Sequence, residues 1–236
     1  MKKISKKATV ISNIILFAII FVVGSFSFLP SAIVPIYGGS DFSAIYNGNR
    51  DNKNVSLMFN VYENTEVVNG IIDLLNNCGV KATFFVGGCW ADDNAETLIE
   101  IVNSGHELAN HGYFHKDHKK LDYEKNKQEI ELTGTIVKAL SGYQTTLFAP
   151  PSGSYSSITL EVASDLGYKV IMWSKDTIDW RDSDTSIIYK RATKNPENGD
   201  LILMHPKKHT LSVLNDIINY YKGIGFNIVT VSENIA

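Results

Sequence analysis

Residues 79–86, Gly79-Val80-Lys81-Ala82-Thr83-Phe84-Phe85-Val86, decide the architecture. A glycine closes a helical pattern over 66–78, and an apolar run too short for a helix follows it, which reads as a buried strand. Working outward, 94–104 is helical in spacing, Gly105 stops it, and 107–109 is again strand-like. The unit recurs. Strands are expected over 55–60, 81–86, 107–109, 146–149, 169–172, 201–204 and 227–230. Helices are expected near 66–78, 94–104, 123–140, 157–166, 186–193 and 210–222, several of them ending at Gly79, Gly105, Gly167 or Gly223. About seven strands alternating with helices indicate an α/β domain with a parallel sheet, open or closed into a barrel. A barrel collects its active site at the C-terminal strand ends. Asn60, His111 with His115, Pro150 with Pro151, Asp176 with Asp179, and His205 all fall at those ends.

A chain of 236 residues is long enough for one sizeable core, and its 44% apolar and 20% charged residues exclude general disorder. A net charge of −3 without a basic stripe excludes a nucleic-acid footprint. Lys116, Lys119 and Lys120 are interrupted by Asp117 and His118 and read as a solvated turn. Cys78 and Cys89 fit neither a zinc finger nor a redox pair and read as small apolar fillers.

The N-terminus has a different character. Lys2, Lys3, Lys6 and Lys7 precede an almost unbroken apolar run over 8–29, long enough to span a bilayer with its start in the cytoplasm. Ser25-Phe26-Ser27 offers the small residues of a signal-peptidase site, whereas Phe28 and Leu29 suit an uncleaved anchor. The expected organisation is a membrane-spanning signal anchor or signal peptide over 1–36, a polar linker over 37–53 and one domain over 54–236. That domain is expected outside the cytoplasm, tethered to the cell membrane by a single span, or secreted if the leader is cut.

The chemistry starts at Asn110-His111-Gly112-Tyr113-Phe114-His115, where two imidazoles stand four residues apart just past a strand end. Such a pair can reach one divalent ion, because imidazole nitrogen is a good ligand for zinc and similar metals. The carboxylate that would complete the set is missing from its expected place.

From about Val55 to Val231 the chain resembles the polysaccharide deacetylases, carbohydrate esterase family four. The markers follow the family's order. They are Val80-Lys81-Ala82-Thr83-Phe84-Phe85-Val86, then Gly105-His106-Glu107-Leu108-Ala109-Asn110-His111 with His115, then Phe148-Ala149-Pro150-Pro151-Ser152-Gly153. Asp176-Thr177-Ile178-Asp179-Trp180 and Leu201-Ile202-Leu203-Met204-His205 complete the series. The resemblance implies a distorted (β/α) barrel of about seven parallel strands and removal of acetyl groups from peptidoglycan or chitin-like amino-sugar polysaccharide by metal-assisted amide hydrolysis. A divalent ion (zinc, with nickel or cobalt as alternatives) activates water, an aspartate takes its proton and a histidine protonates the leaving amine.

The same resemblance defines the departures. Where the family has Thr-Phe-Asp-Asp-Gly, this chain has Met58-Phe59-Asn60-Val61-Tyr62. Asn60 stands in the place of the base, and a neutral amide cannot take a proton. Val61 stands in the place of the acidic ligand and offers no donor. Ala149 replaces the arginine that pairs with the base, and Ser152 replaces a tyrosine. The losses are coherent, since an arginine left without its carboxylate would be a costly unpaired charge.

By resemblance His111 and His115 are the metal ligands, His205 the general acid and Asp179 the carboxylate that orients it. Asn60 is left to donate a hydrogen bond, and Asp179 or Asp176 is the available replacement base. Ser152 contributes a backbone N–H to the oxyanion, while Pro151, Trp180 and Trp173 wall the substrate site. Glu63, Asp117 and His118 lie near enough in sequence to supply the missing ligand, and His106 reads as structural. Two functions compete: a tethered deacetylase with altered chemistry, and a catalytically inactive glycan-binding or scaffold protein on the same fold.

Overall fold

The computed structural model describes residues 42–236, and these form one compact unit. The basic N-terminus, the apolar run over 8–29 and the start of the polar stretch lie outside the described residues. Among the described residues no helix is long and apolar enough to cross a membrane.

The chain alternates as expected through β1 (Asn54–Val61), α1 (Thr65–Cys78), β2 (Thr83–Val86), α2 (Gly88–Asp93), α3 (Ala95–Asn103), β3 (Glu107–Asn110) and α4 (Tyr123–Ser141). It continues through β4 (Leu147–Phe148), α5 (Ser157–Asp165), β5 (Lys169–Val170), β6 (Lys175–Asp176), α6 (Thr185–Thr193) and β7 (Asp200–Met204). It closes with α7 (Lys208–Gly223), β8 (Asn227–Ile228) and α8 (Val231–Asn234). Every ladder is parallel, in the order β5-β4-β3-β2-β1-β7-β6, with β8 paired to the start of β1.

This is a distorted α/β barrel with one strand more than the seven expected. The extra strand, β6, explains how the sheet comes round. The stretch from Lys169 to Asp176 pairs with β4 through its first half and with β7 through its second, so one extended run links the two edges. Its second half is polar and two residues long, which hides it from a search for apolar strands. Helix α2 was also unforeseen, because it opens on glycine and lasts only six residues.

Alternation along β1 separates two cores. Val55, Leu57, Phe59 and Val61 join the outer cluster under the helices. Met58 faces the lumen with Phe85, Ala109, Ala149, Leu201 and Leu203. Gly79, Gly105 and Gly167 take left-handed φ of 63°, 73° and 76°, as helix stops do. Gly223 does not. It is the last residue of α7, and the left-handed turn falls at Gly225, φ 78°.

Part of the polar stretch ahead of β1 packs against the barrel. Ile45 bridges Ile171 in parallel, and Gly48 donates its N–H to the Gly199 carbonyl at 2.7 Å. A Cβ on Gly199 would lie 2.6 Å from the Gly48 carbonyl oxygen, so only glycine allows this approach.

Candidate functional site

Register brings the site together. Asn60 sits level with Phe85 on β2, which is level with Ala109 on β3, while Phe59 is level with Met204 on β7. Asn60, the residues after β3, the turn after β4 and the residue after β7 therefore emerge at one end of the barrel. There they line a cleft of about 590 Å³ with His111, His115, Ser152, Asp176, Trp180 and His205.

His111 is buried, and its Nδ1 lies 2.8 Å from the Ala149 carbonyl oxygen. A carbonyl only accepts, so Nδ1 carries the proton and Nε2 keeps its lone pair. Burial, reinforced by His115 alongside, pulls its pKa down to about 3, so the ring is neutral at ordinary pH. Ala149 thus has a role through its backbone, whatever its side chain lacks. His115 is exposed and reaches its place through a left-handed backbone, φ 53°. Desolvation, and then the proximity of His205, lowers its pKa. The two imidazoles meet edge to face with centroids 5.2 Å apart.

His205 stands at the end of β7. Its backbone N–H donates to Asp179 Oδ2 at 2.7 Å and its ring Nδ1 to Asp179 Oδ1 at 2.7 Å, which leaves Nε2 for the cleft. Thr210 Oγ1 adds a third bond to Oδ2 at 2.6 Å. Burial by itself would raise the Asp179 pKa, but the bonds from His205 and Thr210 outweigh it and hold the carboxyl below its usual range. Both oxygens are engaged and the residue is 1% exposed, so Asp179 orients His205 and is itself shielded from the cleft. Asp176 lines the cleft with one oxygen accepting the Ile178 N–H at 2.8 Å.

Asn60 is 6% exposed, and its Oδ1 is buried without a hydrogen-bond partner. Val61 points the other way. It is fully buried in the outer cluster and is absent from the cleft lining. The third-ligand candidates do not converge either. Glu63 lines the cleft rim but pairs with Lys207. Asp117 bonds Lys120 and Ser154. His118 is buried and turns Nδ1 to Asn126 Oδ1 at 2.7 Å.

Among the described residues no three His, Cys, Asp or Glu side chains come together as a metal-holding group. A catalytic zinc ordinarily takes three protein ligands. The donor set here stops at two imidazoles, and the slot for the acid holds an outward-facing isopropyl group. These residues do not fit a resident ion.

Ser152 lines the cleft in a left-handed conformation, φ 55°. Pro151 is buried in the same turn. Trp180 is 55% exposed at the rim, with the Arg181 guanidinium 5.8 Å from its ring. Trp173 also lines the cleft and packs on Gly153, where a Cβ would lie 2.8 Å from the ring. His106 is buried against Phe84, away from the cleft. Cys78 and Cys89 are free thiols.

Several contributors had no visible signal in the sequence. Tyr62, Lys207, Pro206 and Leu203 all line the cleft. Buried Glu129 accepts the Phe114 N–H at 2.7 Å and so steadies the loop that carries His115. Its one trace in the sequence is an acidic residue beside Ile130 on the inner face of a helix.

A parallel barrel with paired imidazoles and an acid-held histidine on one rim fits the carbohydrate deacetylase fold class. The polysaccharide deacetylase family profile matches residues 47–171, and the chain belongs to that family. It is 34% identical to the uncharacterized protein YlxY of Bacillus subtilis over 189 residues, 80% of this chain and 59% of that one. It is 30% identical to the peptidoglycan-N-acetylglucosamine deacetylase PgdA of Listeria monocytogenes over 78% of this chain and 39% of that one. It therefore spans less than two thirds of either relative. Among solved structures, BA3943 of Bacillus anthracis, described as a CE4 family pseudoenzyme, superposes with a TM-score of 0.80 at 31% identity. That superposition covers 82% of this chain and 69% of the other. A BA3943 mutant described as having restored enzymatic activity superposes equally well, with a TM-score of 0.80 at 29% identity, covering 82% and 71%.

Proposed function

We propose that this chain is a deacetylase-fold protein that binds acetylated amino-sugar glycan of the cell wall without hydrolysing it. One observation carries the reading. The place of the base holds a neutral amide, and its buried Oδ1 has no partner within the protein. An amide cannot remove a proton from water. Of the two acids that could replace it, Asp179 has both oxygens hydrogen-bonded and stands outside the cleft lining, and Asp176 lines the cleft with one oxygen held by the Ile178 N–H.

What survives is suited to binding. Asn60 offers an amide to the floor of the cleft, and Trp180 and Trp173 offer aromatic faces to a sugar ring. The likeness to a Bacillus anthracis protein described as a pseudoenzyme supports the same reading. The peptidoglycan deacetylases among the relatives support an amino-sugar polymer as the ligand. The basic start and apolar run over 8–29 support placing the domain outside the cytoplasm, held by a membrane anchor or released by leader cleavage.

The second reading, hydrolysis of the acetamide with altered chemistry, is favoured by one specific contact. The Asp179–His205 pair keeps an imidazole oriented as a proton donor for a leaving amine. Acetate release separates the two readings. The full-length chain is incubated with N-acetylglucosamine oligomers and with peptidoglycan, each with added zinc, nickel or cobalt. Saturable binding without acetate supports the binding protein. Acetate release that is lost in His205→Ala establishes the hydrolase.

A further inference from the structure

We infer that Tyr62 is a metal-free staple that fastens the His111–His115 loop to the end of β1. This rests on the reading of the site as one without catalysis. In the family pattern an acid at position 61 and the two imidazoles share an ion, and that ion joins β1 to the loop after β3. Here position 61 is a valine buried in the outer core and the acid is missing, yet the loop is fastened to the same place by other means.

The Tyr62 hydroxyl donates to the Tyr113 carbonyl at 2.9 Å, and the same oxygen accepts the Cys89 N–H at 3.1 Å. The Tyr62 ring meets the His115 ring edge to face at 5.2 Å, and His115 meets His111 in the same way at 5.2 Å. Three rings therefore run in series from β1 to the buried imidazole. The aromatic contacts and the hydroxyl bond hold the left-handed His115 and the segment that leads into it.

Room for the staple comes from Gly87. A Cβ there would lie 2.1 Å from Tyr62 Cδ2 and 2.3 Å from Cε2, so the ring lies directly on the glycine backbone. Gly87 also donates its N–H to the Val61 carbonyl at 2.9 Å, which fixes the strand end from which Tyr62 projects. A side chain at 62 that was merely solvent-facing would need neither the glycine nor the carbonyl.

Amide hydrogen exchange over 112–116 in the full-length chain tests this, with EDTA and with added zinc chloride, for wild type, Tyr62→Phe and Tyr62→Gly. In wild type the hydrogen-bonded amides of Gly112 and Phe114 are protected, and neither EDTA nor zinc changes them. Losing the hydroxyl bond in Tyr62→Phe speeds their exchange about fivefold. Tyr62→Gly speeds it further. Amides of β7 remain unchanged in both variants, which shows that the barrel is intact. Faster exchange of the wild-type loop in EDTA, or added protection in zinc, overturns the staple. So does a Tyr62→Gly loop as protected as wild type. Acetate release, measured on the same samples, decides the non-catalytic reading separately.

Discussion

The Asp179 carboxylate grips His205 twice, Oδ2 taking the backbone N–H and Oδ1 the ring Nδ1, each at 2.7 Å. Backbone and side chain of one histidine are thereby fixed by one buried acid, and Thr210 on α7 completes the cage. The arrangement is present although the neighbouring strand end, β1, carries Asn60 and Val61 where the family has acids. It also ties β7 to the loop after β6, so it stabilises the rim independently of any reaction.

Replacing Asp179 by Asn leaves one acceptor where three donors converge. The loss is expected to be about 2 kcal/mol near neutral pH. The carboxyl has its pKa depressed on folding, so the unfolded state binds its proton first as pH falls. The advantage of wild type over Asp179→Asn is therefore full above about pH 4 and shrinks below it. Urea denaturation of both proteins from pH 7 to pH 3 measures this, and a constant difference across the range counts against it.

Val61 faces the outer core, so an acid introduced there does not simply arrive in the cleft. Val61→Asp is expected to destabilise by about 3 kcal/mol, the order of an unpaired polar group in an apolar interior. A loss under about 1 kcal/mol would show that the strand end turns to bring the carboxylate round. Chemical denaturation decides between these outcomes.

Trp180 is exposed, and its loss exposes no core. Trp180→Ala is expected to change stability by less than about 0.5 kcal/mol. Its effect on glycan binding is expected to be about tenfold, since an aromatic face at the rim is the kind of side chain that anchors a ligand. Calorimetry with N-acetylglucosamine oligomers reads the affinity, and unchanged binding removes Trp180 from the site.

His106 offers a pH test away from the cleft. Burial, assisted by Lys81, pulls its pKa down to about 4. Between about pH 6.5 and that value the unfolded chain carries a proton the folded one refuses, so stability falls as pH falls. The full effect amounts to about 3 kcal/mol across the window. His106→Leu is expected to flatten the slope between pH 6.5 and 4 by close to one proton. An identical slope in the variant assigns the effect to other groups.

Legibility followed length and polarity. Strand β1 and helix α1 were readable because each is long, apolar and bounded by a turn signal. The two-residue strand β6 was not, since Lys175 and Asp176 carry no apolar pattern and pair only because β7 lies beside them. At the site, Asn60, His111, His115, Ser152, Asp176, Trp180 and His205 were named from the chain alone and line one cleft. Tyr62 carries no signal in the chain, because its neighbours in space, Gly87, Tyr113 and His115, are distant in sequence.

The amino-acid order by itself determined the βα repeat, the ends at which chemistry collects, and the neutral residues at 60 and 61, which become missing acids only against the pattern of the family. These depend on local periodicity and on residue identity, which any reading of the chain exposes. Only the tertiary structure decided that Val61 points into the core, that both oxygens of Asp179 are taken up by His205 and Thr210, and that Tyr62 lies on Gly87. Those are consequences of register and of the direction of side chains at strand ends. Contacts between residues far apart in the chain fix both.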